Sequence, residues 1–267
     1  MHPIERLRYV ARASGADQRV LVRETASALR GLRLEPSGLV TACRRIVERH
    51  PSSGPLWWLS ARVLTAPEPF LEALVAADEV EGDLTPDRLI DGLPDEATVT
   101  VIGWPDLAGE ALMRRGDPYV LAVDAFDEGS AFVRRLQRAD VEAEIVPVAG
   151  MAAAVSASDL VLIETAAVGA GGALCVAGSR AAAAVAYCAE IPVWLVAGVG
   201  RRLPEPLWKA LVERTLAGRD PWENEDEVVP LGLVSHVVGP SGLDAGVESI
   251  LASECPMAPE LLRSSVM

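Results

Sequence analysis

The chain has 267 residues, half of which are hydrophobic, and a formal net charge of −14. This length and this hydrophobic content allow one large domain or two modest ones with a substantial core. The negative charge argues against nucleic acid as a direct ligand, because proteins bind phosphate backbones mainly through lysine and arginine.

The sequence shows no sign of a membrane span, an export signal or a metal site. The uncharged stretches near the middle, such as 165–179, are shorter than the about 20 residues that a membrane helix needs. The first residues, MHPIERLRYVARASG, carry charges where a secretory signal has an apolar core, so we expect a cytoplasmic protein. The four cysteines include no CxxC pair and the three histidines are scattered, so we expect reduced thiols, no metal site and no cofactor.

The N-terminal part of the chain has the spacing of amphipathic helices. Apolar residues recur at helical intervals in LVTACRRIVERH and PFLEALVAADEV, and the breaks fall at Pro36, Pro51, Pro67 and Pro86. We therefore predict a helical domain over residues 1–93.

After DGLPDEA the pattern changes to short β-branched runs, separated by segments that can form helices. The runs are TVTVIGW, PYVLAVDA, AEIVPVA, SDLVLIE, PVWLVAGV and LVSHVVG. This alternation predicts an α/β fold, with a Rossmann-like domain over residues 94–267 whose mostly parallel sheet is covered on both faces. Binding sites of such sheets lie at the carboxyl ends of the strands.

The segment ETAAVGAGGALCVAGSR, after the strand SDLVLI, reads as a glycine-rich loop that opens the helix SRAAAAVAYCAE. Free amides at Gly178, Ser179 and Arg180, with Ser179 as the cap and the positive charge of Arg180, suit a phosphate or a carboxylate. Gly171 and Gly172 would let such an anion approach the backbone. The alternative is that glycine and alanine only permit close packing of helix on sheet, since the loop fits neither GxGxxG nor GxxxxGK[ST].

The region SDLVLIETAAVGAGGALCVAGSRAAAAVAYCAEIPVWLVAG resembles the signature of a known family. That family unites the alpha, beta and delta subunits of translation initiation factor two-B with methylthioribose-1-phosphate isomerase and ribose-1,5-bisphosphate isomerase. Its segment runs roughly as VDxVLVGADxVxxxGxVxNKxGTxxLAxxAKxxxVPFYVxAP, and ERHPSSGPLWW and VVGPSGL extend the resemblance over most of the chain. The resemblance implies a helical domain followed by a Rossmann-like domain of the CoA-transferase type, and a homodimer formed through the C-terminal domain.

At the positions that match the isomerases' catalytic residues, this chain is degenerate. The family's aspartate falls on Ala166, and its asparagine and lysine fall on Cys175 and Val176. Only Gly178 and Ser179 keep the character of that motif.

The other matched catalytic positions are also changed. The family's cysteine falls near Gly103 or Trp104, where there is no thiol, and its arginine and proline fall on Asp124 and Ala125. Aldose-to-ketose isomerisation needs a general acid and a general base within hydrogen-bond reach of the moving hydrogen. The matched positions supply neither.

The sequence therefore predicts a non-catalytic initiation-factor-2B-like protein that binds a phosphosugar or a nucleotide and acts as a sensor or an interaction subunit. One alternative is an active sugar-phosphate isomerase in which Glu164 and Asp124, at adjacent strand ends, act as acid and base. The other interpretation of the two acids is that each is a solvated or amide-bonded loop residue. A third hypothesis is a scaffold without a small ligand.

Overall fold

A computed structural model describes residues 17–34, 36–218, 220–248 and 253–263. Within these residues the first α-helices are α1 (Gln18–Arg30), α2 (Leu39–Arg49), α3 (Gly54–Thr65), α4 (Pro69–Glu81) and α5 (Thr85–Gly92). The predicted helical half is confirmed over this part of the chain. Proline stands in the first turn of α3, α4 and α5, where the helix needs no amide donor from that residue.

The rest of the chain alternates strands and helices. The strands are β1 (Thr98–Ile102), β2 (Tyr119–Val123), β3 (Ala143–Val146), β4 (Leu160–Gly169), β5 (Gly172–Val176), β6 (Val193–Val196), β7 (Asp226–Val229), β8 (His236–Gly239) and β9 (Gly242–Ala245). The helices among them are α6 (Asp106–Arg115), α7 (Gly129–Gln137), α8 (Met151–Ser156), α9 (Ser179–Cys188) and α10 (Glu205–Thr215). No helix in the described ranges is long and apolar enough to cross a membrane.

The main path of the sheet runs β3-β2-β1-β4-β6-β8-β9. All neighbours along this path pair in parallel except β9, which returns antiparallel to β8. The mostly parallel sheet predicted from the sequence is confirmed. Strand order reverses between β1 and β4, which is where open α/β sheets form a crevice at the carboxyl ends of their strands.

The segment from Glu164 to Arg180 contains a β-hairpin, so the prediction of a glycine-rich loop there is wrong. β4 continues to Gly169 and pairs antiparallel with β5, which pairs in turn with β7. Only the first half of β4 belongs to the main sheet, because β1 and β6 pair with residues 160–164. Alanine and glycine have low strand propensity, so the alanine- and glycine-rich sequence of this segment did not predict a hairpin.

Packing crosses the predicted boundary at residues 93 and 94, which lies in the connection between α5 and β1. Leu89 of α5 is buried together with sheet residues such as Val99. In the other direction, Trp208 of α10 and Leu261 near the C-terminus are buried in the core of the helical half. The two halves therefore share core side chains.

Candidate functional site

A cavity of about 190 Å³ lies at the carboxyl ends of β1 and β4, where the strand order reverses. We call it the switch-point cleft. Ile102, Glu164, Val176, Ser179, Arg201 and Asp226 are among the residues that line it. The cleft therefore occupies the edge of the sheet at which the sequence predicted a binding site.

The helical half reaches the cleft through the residues that start α1 and α3. Ser53 caps α3, because its hydroxyl accepts a hydrogen bond from the Leu56 amide and contacts the side-chain oxygen of Gln18. Gly54 lies so close to β4 that a Cβ at that position would collide with the Ala166 carbonyl oxygen. Glycine at this position lets the helical half pack directly against the strand that ends in the cleft.

Glu164 and Arg201 form a buried ion pair in the wall of the cleft. Arg201 Nη1 lies 2.8 Å from Glu164 Oε1 and donates to the Thr165 carbonyl oxygen at 2.6 Å. Glu164 Oε2 accepts hydrogen bonds from the amides of Leu107 and Ala108, at 2.8 and 3.0 Å, in the first turn of α6. The amide end of a helix favours a negative charge. The protein itself thus satisfies both oxygens of this carboxylate.

Asp124 does not lie on a strand next to that of Glu164. It follows β2, and β1 separates β2 from β4, so the two acids belong to strands about 10 Å apart. Asp124 Oδ1 accepts a hydrogen bond from the Gly129 amide at 2.8 Å and closes the turn before α7. The expectation that the two acids end adjacent strands is therefore wrong, and both are amide-bonded acids.

Three of the positions that the resemblance matches to catalytic residues lie at the cleft. Trp104, Ala166 and Val176 line it, and the Gly103 backbone packs against Val176. These side chains carry no acid, base or cation. Cys175 is fully buried in β5, and burial raises the pKa of its thiol far above the ordinary value, so it is a packing group and not a nucleophile.

The start of α9 already holds a carboxylate of the protein. The amides of Gly178 and Arg180 donate to Glu227 Oε1 at 2.6 and 2.9 Å. The expected cap role of Ser179 is wrong, because Gly178 takes the cap position in a left-handed conformation and it is Glu227 that accepts from the amides there. Arg180 is exposed. A free anion would have to displace Glu227, and the anion site at these residues stays a prediction.

Gly171 and Gly172 lie at the turn of the hairpin, at the end of β5 opposite to α9. A Cβ on Gly171 would collide with the Trp208 ring, and Gly172 has a φ of 144°. These glycines permit the turn and its close contact with α10. The structure does not bring them together with Gly178.

Three further carboxylates border the cleft, and all have raised pKa values. Burial, followed by the charge of Glu225, raises the pKa of Asp226 to about 6. The same two causes raise the pKa of Glu128. Burial, followed by the charge of Glu164, raises the pKa of Asp106 to about 6. Asp106 is nevertheless exposed as a residue, so water screens its carboxyl more than that of half-buried Asp226.

Sequence analysis did not single out Arg201, Asp106 or Asp226. Asp106 follows β1 and Arg201 follows β6, and both strands were predicted. Their positions just after predicted strands could have marked them as candidate site residues. Asp226 begins β7, which the pattern did not predict. Within the described ranges Arg201 is the only basic residue that lines the cleft, and no group of three or more His, Cys, Asp or Glu side chains is placed to hold a metal ion.

Comparison with known proteins identifies the fold. No protein-family model and no curated protein matches the sequence. The chain is similar to the crystal structure of translation initiation factor eIF-2B from Pyrococcus horikoshii OT3, at 16% identity over 93% of this chain and 98% of that chain, with a TM-score of 0.76. It is also similar to eIF2B beta from Chaetomium thermophilum, at 16% identity over 98% and 92% of the two chains, with a TM-score of 0.71.

A third similar structure is the tetrameric eIF2B-beta2-delta2 complex from C. thermophilum, at 15% identity over 94% of this chain and 93% of that chain, with a TM-score of 0.72. Identities this low establish the fold and not the activity. This chain has the fold of the subunits of translation initiation factor 2B.

Proposed function

We propose that this chain is a non-catalytic initiation-factor-2B-like protein that acts as a sensor or an interaction subunit. The observation that carries the proposal is the bonding of Glu164, whose oxygens are held by Arg201 and by two amides of α6. A general acid or base must exchange a proton with its substrate, and Glu164 would have to give up these contacts to do so. The Gly129 amide holds one oxygen of Asp124.

The charges around the cleft also bear on the ligand. The sequence analysis predicted a phosphosugar or a nucleotide, and that stays a prediction. Arg201 is already neutralised by Glu164. A phosphate in the cleft would face Asp106, Glu128 and Asp226, so repulsion weighs against a phosphorylated ligand.

An interaction role is supported by the similar structures, one of which is a tetrameric complex. We expect a homodimer formed through the sheet-containing half. Two large hydrophobic side chains of this half, Tyr187 and Trp222, are 66% and 80% exposed. Exposed apolar side chains of this size are common where subunits meet.

Two measurements test the proposed function. Purified protein incubated with methylthioribose 1-phosphate or ribose 1,5-bisphosphate should give no isomerised product by proton NMR. Light scattering at micromolar concentration should give twice the chain mass of 28.2 kDa. A mass near that of one chain would contradict the expected homodimer.

Turnover in the NMR assay would favour the active isomerase, provided that it depends on the two acids. Glu164→Gln and Asp124→Asn should then abolish it in protein whose thermal midpoint shows that it is folded. Turnover that survives both substitutions would come from a contaminant or from groups elsewhere in the chain.

A further inference from the structure

The hydroxyl of Ser179 is a buried polar group with no hydrogen-bond partner among the described residues. Ser179 is fully buried in the first turn of α9, lines the switch-point cleft, and its Oγ forms no hydrogen bond within the structure. Alanine occupies the other buried positions of this helix, at Ala182, Ala183 and Ala186. Packing alone would therefore accept alanine here, and a buried hydroxyl without a partner is destabilising. A ligand in the cleft would supply the missing partner.

The charge around this hydroxyl is negative. Asp106, Glu128 and Asp226 line the same cleft, and none of them forms an ion pair with another described residue. Burial is the first cause of their raised pKa values and repulsion by neighbouring acids the second, and at Asp106 the opposing charges of Arg201 and Arg135 do not cancel the rise. A positive charge placed among these carboxylates would therefore be stabilised. A cation fits this cleft better than an anion.

Size and shape favour an organic cation over a metal ion. No three of the acidic side chains in the described ranges come close enough together to ligate a metal. A cavity of about 190 Å³ has room for on the order of ten water-sized groups. Ile102 and Trp104 supply apolar wall for the carbon atoms of such a ligand.

We propose that the switch-point cleft binds a small amine. The carboxylates of Asp106, Glu128 and Asp226, which line the cleft, stabilise its positive charge, and the ligand provides a hydrogen bond to Ser179 Oγ. The inference extends the proposed sensor role by naming the chemical class of the ligand. It depends on the proposed function in one respect: the cleft must bind its ligand without converting it to a product.

The test compares matched probes by thermal shift and isothermal titration at about 0.15 M salt, where long-range attraction to a chain of charge −14 is screened. The probes are 1,4-diaminobutane, its uncharged counterpart 1,4-butanediol, and ribose 5-phosphate as the anion. We expect the diamine to raise the thermal midpoint and the other two to leave it unchanged.

Two variants and one control locate the site. Asp226→Asn and Ser179→Ala should each weaken diamine binding on the order of tenfold, as expected for the loss of one charged or one neutral hydrogen-bonded contact. Glu223→Gln removes an exposed charge near β7 and should leave the affinity at the wild-type value.

Equal effects of the diamine and the diol, stabilisation by ribose 5-phosphate alone, or diamine affinity unchanged in both cleft variants would each overturn the proposal. Failure of amine binding in a protein that is also inert in the isomerase assay would leave the non-catalytic role standing. Isomerase turnover, in contrast, would overturn that role whatever the cleft binds.

Discussion

The carboxyl of Asp226 should make the protein less stable as the pH rises. Burial and the charge of Glu225 raise its pKa from 3.8 to about 6 in the folded state. Between these two values the folded state binds more protons at this site than the unfolded state, so the free energy of unfolding falls as the pH rises toward 6. Above about pH 6 the loss is complete.

The size of the effect follows from the difference in pKa. A difference of about 2 units corresponds to about 3 kcal/mol at most. Asp226 is half-buried and partly screened, so we expect Asp226→Asn to stabilise the protein by about 1 to 3 kcal/mol at pH 8. The gain should shrink as the pH is lowered through 6 and be small by about pH 4, where the wild-type carboxyl is protonated in the folded state.

Urea denaturation followed by tryptophan fluorescence at several pH values measures this difference through the midpoint at constant slope. Glu223→Gln is the matched control, since its exposed side chain should change stability by less than about 0.5 kcal/mol at any of these pH values. An asparagine variant that is less stable than the wild type at pH 8, or whose effect does not depend on pH, would refute the reasoning.

Two further substitutions test the packing and charge around the cleft. Arg201→Leu leaves the Glu164 carboxylate without its cation and should destabilise the protein by about 3 to 5 kcal/mol in the same urea assay; a loss below about 1 kcal/mol would mean that the two amides suffice. Gly171→Ala should destabilise by about 1 to 3 kcal/mol because the added methyl group meets the ring of Trp208. Gly232→Ala, where a Cβ would meet nothing within 4 Å, is its control and should be nearly neutral.

Local patterns predicted the helical half and the six strands with β-branched runs, because in those elements periodicity and propensity agree. They missed β5, whose ALCV run follows two glycines, and β7, whose DEVV run begins with two acids. They also missed β9, the short run GLDA. These three strands pair antiparallel with a neighbour in the sheet, outside the strand and helix alternation that the pattern describes.

The site was harder to predict than the fold because its contacts join residues that are far apart in the sequence. The Gly178 amide and its acceptor Glu227 are separated by 49 residues, and the Leu107 amide and Glu164 by 57. Sequence analysis therefore located the amides at the start of α9 without seeing the carboxylate that they already bind. It also left open whether Glu164 is a catalytic acid or an amide-bonded one, because neither Arg201 nor the first turn of α6, which hold it, is near it in the sequence.

The exchange of core side chains between the two halves has a consequence for folding. The core of the helical half includes Trp208 and Leu261, which belong to the sheet-containing half of the sequence. The core of the sheet includes Leu89, which belongs to the helical half. A fragment cut at residue 93 would expose these large apolar side chains on both pieces, so neither piece should fold by itself. The protein should unfold in one cooperative transition, and the walls of the cleft cannot separate as rigid domains about a simple hinge.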